Sequence, residues 1–165
     1  MKAAWLITHL LLLAGTVSQA QGKYPVKKIY AYSFRVKPGV VQLPAAERRG
    51  PVLQYRVYLE PWPGRAVTVN RAWLQGKDVS MVTEKATGPI RKEKAGRLPG
   101  QTAYEMLVPG SGNELIEIFP GVPRENGTPY PRHLRLFPLL LEYSCDGKTH
   151  YLGTSFRPLS ADVRL

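Results

Sequence analysis

Residues 139–154 read LLLEYSCDGKTHYLGT, two short runs joined by Asp146-Gly147. That dipeptide suits a two-residue type I′ turn, in which both central φ values are positive, so Leu139 to Cys145 and Lys148 to Thr154 are expected to form an antiparallel hairpin. A loop this short also sets the register: Cys145 falls opposite Lys148, Ser144 opposite Thr149 and Tyr143 opposite His150. Side chains alternate along a strand, which places Tyr143, Cys145, Lys148 and His150 on one face.

The same period of two recurs upstream. Tyr30, Tyr32, Phe34 and Val36 alternate with Ala31, Ser33 and Arg35. Leu53, Tyr55, Val57 and Leu59 alternate with Gln54, Arg56, Tyr58 and Glu60, the clearest pattern of a strand with one face buried. That run stops at Pro61-Trp62-Pro63-Gly64, where the prolines remove backbone donors and the glycine allows a tight turn. Val67, Val69, Arg71 and Trp73 alternate with Thr68, Asn70 and Ala72, and a turn near residues 75–78 leads into Val79 to Thr83. A further hairpin is expected to join Ala103–Val108 to Glu114–Phe119 through residues 109–113.

The 15 prolines and 15 glycines leave little room for long helices. About eight short strands divided by turn signals indicate an all-β fold: an antiparallel sandwich, Ig-like or related, with a small closed barrel as the alternative. Residues 37–50, 84–102 and 120–133 are long and rich in Pro, Gly and charge, and they read as loops of the kind that often carry function.

At the N-terminus, Lys2 precedes an apolar run from Ala3 to Ala14 broken only by Thr8 and His9, and Ser18-Gln19-Ala20 supplies small residues for cleavage. This is the pattern of a secretory signal peptide, residues 1–20, cut near Ala20. Residues 21–165 then make a single domain of a secreted or periplasmic protein. No segment approaches the roughly 20 consecutive apolar residues of a spanning helix, so the chain is not expected to span a membrane. Cys145 is the one cysteine, so no internal disulfide can form and stability must come from burial and backbone pairing.

The formal charge of +11 is unevenly spread. Residues 21–100 hold 16 Lys and Arg against 5 acidic residues, whereas residues 101–165 hold 6 against 7. A one-sided basic surface attracts polyanions, and outside the cytoplasm these are acidic polysaccharides, glycolipids or acidic proteins. Nucleic acid is the less favoured partner, since no nucleic-acid-binding motif is present. Solubility alone is the plainer reason for such charge.

Chemistry-bearing residues are sparse. Cys145 with His150 is a weak thiol constellation, since a nucleophile needs a base within hydrogen-bond reach and an orienting group. Glu105, Glu114 and Glu117 could supply paired carboxylates, although glutamate on an exposed strand face is the commoner case. No His, Cys or carboxylate spacing matches a metal site, and no cofactor is expected. Asn126-Gly127-Thr128 fits a glycosylation acceptor and equally an ordinary turn.

Binding features carry more weight. Trp62, held between two prolines, could present its ring to a sugar or a partner side chain, or simply cap one end of the domain. Lys85, Arg91, Lys92, Lys94 and Arg97 form a basic stretch able to dock an anionic group, against the plain alternative of solvated charge. The expectation is an exported, non-enzymatic binding or interaction module for an anionic glycan, a glycolipid or a partner protein. A secreted hydrolase with a thiol or carboxylate site and a β-barrel carrier of an apolar ligand are the alternatives.

Overall fold

The computed structural model describes residues 24–36, 52–94 and 103–159. Residues 1–20, expected to be a signal peptide, the segment 37–50 and Arg97 lie outside the described residues. Within them the chain is all-β, with the strands β1 (Val26–Val36), β2 (Val52–Pro61), β3 (Val67–Leu74), β4 (Lys77–Thr87), β5 (Ile90–Lys94), β6 (Ala103–Val108), β7 (Glu114–Pro123), β8 (Leu139–Cys145), β9 (Lys148–Thr154) and β10 (Arg157–Pro158). Eight of these form one mixed sheet in the order β10-β1-β2-β7-β4-β3-β8-β9, and β5 with β6 forms a separate ribbon. The β1–β10 pair is parallel; the other pairs are antiparallel.

The sheet is curled into a half-barrel, and chain connectivity requires this. β9 and β10 lie at opposite ends of the strand order, yet only Ser155 and Phe156 separate them. At 3.8 Å per Cα step, Thr154 and Arg157 are at most about 11 Å apart. Phe156, in the connection between β9 and β10, packs on Tyr55 of β2 with ring centroids 4.6 Å apart.

The β8–β9 hairpin forms in the expected register, from Cys145 opposite Lys148 to Tyr143 opposite His150. Asp146 and Gly147 take φ values of 51° and 72°, as the type I′ turn demands. Gln75 and Gly76, at 50° and 81°, make a second such turn between β3 and β4.

Three expectations need correction. Strands β6 and β7 do not pair with each other: β6 pairs with β5, and β7 is inserted between β2 and β4. Leu107 and Val108 of β6 are drawn instead onto the aromatic outer face of the sheet. The 84–102 segment is not one loop, because β4 continues to Thr87 and β5 begins at Ile90. The 120–133 segment likewise starts as strand, since β7 runs to Pro123.

The alternation in β2 also holds only in its first half. Val57, Tyr58, Leu59 and Glu60 are all buried, because both faces of the sheet are covered there. The inner face gathers Ala31, Val57, Leu59, Ala72, Val79, Ile118, Leu139 and Leu141 into one aliphatic core. On the outer face, Tyr32, Phe34, Tyr58 and Leu115 pack beneath Leu107 and Val108 of the ribbon. Each fully buried aliphatic side chain contributes about 1.5–3 kcal/mol, which replaces the disulfides this chain lacks.

Elsewhere on the outer face, residues 124–138 are pinned down by Trp73. Its Nε1 donates to the carbonyl of Thr128 at 2.9 Å, and its ring meets Tyr130 edge-on. The buried carboxylate of Asp78 accepts the Thr128 amide at 2.7 Å. Asn126, whose triplet fits a glycosylation acceptor or an ordinary turn, is exposed in this same segment.

Glu60 is 1% exposed and is held by Lys27 Nζ at 2.8 Å and Asn113 Nδ2 at 2.7 Å. Burial pushes its pKa up, but hydrogen bonds from Lys27, Asn113 and Ser111 outweigh that and keep the carboxyl below its ordinary value of 4.5. The stability this group contributes is therefore complete above the ordinary value and is lost as pH falls through the lower folded one. Glu60→Gln is expected to flatten the acid limb of melting temperature against pH. An unchanged acid limb would show that Glu60 is not the group responsible.

Candidate functional site: the seam between strands β3 and β4

The sheet has an internal break. β3 and β4 pair only beside their turn, over Ala72–Leu74 and Lys77–Val79. Register irregularities then occur between Val69 and Arg71 and between Val79 and Met81, and beyond them the two strands part. Between the separated portions lies an open cleft of about 450 Å³, lined chiefly by Val67, Val69, Thr83, Lys85, Glu114 and Ile116. That is within the usual size of a ligand pocket.

The ladder shows what the walls present. Residues flanking a two-residue turn exchange both hydrogen bonds, and the pattern alternates from there. Cys145 and Tyr143 therefore direct their backbone groups to β9. Opposite them, Val67 and Val69 must turn their N–H and C=O away from β8 and into the cleft.

The β4 wall follows from the other edge of the sheet. Leu159 donates to the carbonyl of Ser33 at 2.8 Å, so Ser33 faces β10, and its partner Tyr55 faces β7. By alternation Val57 and Leu59 also face β7 and bond to Ile118 and Ile116. Thr83 and Lys85, opposite those isoleucines, are left pointing away from β7 and into the cleft. Four N–H and four C=O groups thus line the seam without a ladder partner among the described residues.

Of the basic residues expected to bind, Lys85 lies in this cleft, 2.9 Å from Glu114. Arg91 and Lys92 lie on the ribbon, against the opposite face of the sheet. Arg91 is exposed on the ribbon beside Met106. Lys92 turns inward, its Nζ 3.4 Å from the ring centroid of Phe34. Burial, reinforced by Arg56, lowers the Lys92 pKa. Lys94 ends β5, and only its backbone position is described. The basic stretch is thereby divided between two faces. Trp62 is half-buried at the end of β2, its N–H bonded to the carbonyl of Pro25 and its ring 5.9 Å from Lys27 Nζ.

The candidate catalytic groups are dispersed. Cys145 is 3% exposed, and burial together with Asp146 pushes its thiol pKa up, the reverse of what a nucleophile needs. His150 stacks on Tyr143 with centroids 5.3 Å apart. Native Cys145 is expected to react with iodoacetamide at least ~10-fold more slowly than in denaturant; equal rates would contradict its burial. Glu114 pairs with Lys85 in the cleft, Glu117 with Arg56 at 3.0 Å on the outer face, and Glu105 lies 3.7 Å from Arg157.

Val67, Val69, Thr83 and Ile116 were not singled out by sequence reasoning. Their side chains are ordinary for strands, and their importance comes from backbone groups left over by a non-sequential strand order. Compared with family models, curated proteins and solved structures, the chain matches none of them, so its function must be read from its own geometry.

Proposed function

We propose that this protein is an exported, non-enzymatic binding module and that the β3–β4 cleft holds its partner. The observation that carries this is the cleft itself, in which Val67, Val69 and Ile116 converge with backbone groups that have no ladder partner among the described residues. Polar backbone left without a partner has an incentive to acquire one that open solvent only partly meets. Export rests on the signal-peptide pattern of residues 1–20.

A second reading places an anionic glycan or glycolipid on the ribbon, where exposed Arg91 shares a surface with exposed Tyr104 and Met106. Amide chemical-shift mapping separates the two. Titration with short peptides and, separately, with heparin should perturb Val67, Val69, Thr83 and Lys85 if the cleft is the site. Perturbation confined to Arg91, Tyr104 and Met106, abolished by high salt and by neutralising Arg91, Lys92, Lys94 and Arg97, would instead favour the polyanion reading.

A further inference from the structure

We propose that the seam takes an extended polypeptide segment, inserted between β3 and β4 as an additional strand; this rests on the cleft being the binding site. Both walls expose backbone, and from both sides the unsatisfied groups are alternating donors and acceptors at strand spacing. An extended peptide is the ligand class that offers the complementary pattern on both of its edges at once. A glycan or headgroup has no such repeat.

The walls also specify the partner's side chains. Residues on the inner side of the inserted strand would lie between Val67 and Val69 on one wall and Thr83 and Lys85 on the other, with Ile116 beyond, which favours β-branched side chains such as Val or Thr at alternate positions. The intervening positions face outward and suit polar residues. Charge at the rim is already balanced, Lys85 by Glu114 and Arg65 by Asp146, so the inserted core needs no net charge. Because β3 and β4 run antiparallel, the guest must be parallel to one wall and antiparallel to the other. Its two edges therefore make different hydrogen-bond patterns.

Thr83 supplies a clean variant. Its N–H points into the seam and makes no ladder bond to β7, so Thr83→Pro removes a donor to the guest while leaving the β4–β7 ladder intact. The probe is a capped octapeptide, Lys-(Thr-Val)3-Lys, titrated into the isotope-labelled full chain, with the same peptide N-methylated at its valines as a control. The unmodified peptide is expected to shift the amides of Val67, Val69, Thr83 and Lys85 and to slow their hydrogen exchange by at least ~10-fold. The N-methylated peptide should bind at least ~10-fold more weakly, as should Thr83→Pro towards the unmodified peptide.

No change at those four amides, or equal binding of the N-methylated peptide, would overturn strand insertion. The peptide control stands independently should the proline variant fail to fold. Heparin shifting the cleft amides while the peptide does not would overturn insertion and leave the cleft as the binding site. Peptide shifts confined to the ribbon would overturn both.

Discussion

Trp73→Ala is expected to lower stability by about 3–5 kcal/mol and to detach residues 124–138 from the sheet. The side chain is 1% exposed, so its removal opens a large cavity. It also leaves the Thr128 carbonyl without its indole donor and Tyr130 without the ring it meets edge-on. Phe137 has its own seat on Gly153, where any Cβ would collide with the ring, so part of the segment keeps a local anchor. Urea unfolding should show the loss, and amide exchange at Thr128 should rise more than exchange in β8. A loss under about 1 kcal/mol would mean that Trp73 does not organise this face.

Leu59→Ala and Leu53→Ala provide the second test, because the alternation of β2 ranks the two leucines alike. Leu59 is 0% exposed and sits in the inner core with Val57 and Ile118, whereas Leu53 is 46% exposed. Leu59→Ala should cost about 2–5 kcal/mol, and Leu53→Ala no more than about 0.5 kcal/mol. Equal costs would indicate that both ends of β2 are covered alike, contrary to the described packing.

That pair of leucines shows where the sequence is informative and where it stops. Strand identity is local: alternation and the Asp146-Gly147 turn define β2, β8 and β9, and the β8–β9 register follows from two residues. Which end of a strand is covered is not local. Tyr58 and Glu60 look solvent-facing by alternation, but the ribbon packs over Tyr58, and Lys27 and Asn113 enclose Glu60. The placement of β7 between β2 and β4 is equally invisible, since residues 109–113 look like a hairpin connection and nothing in them records which edge the next strand joins.

The seam was hidden for the same reason. Lys85 is legible as a charge, and it does line the cleft, but nothing local shows that the sheet divides the basic stretch between two faces. Val67 and Val69 resemble any other strand valines. What distinguishes them is that β8 pairs with them on one side and β4 leaves them on the other, a property of strand order and of two local irregularities.

Amide hydrogen exchange along β3 and β4 in the unliganded protein tests the open seam most directly. Thr68 and Glu84 direct their amides to β8 and β7 and should be protected, while Val67, Val69, Thr83 and Lys85 should exchange rapidly, giving an alternation along each wall. Uniform protection of all six amides would contradict the account, because it would mean that the two walls are already paired.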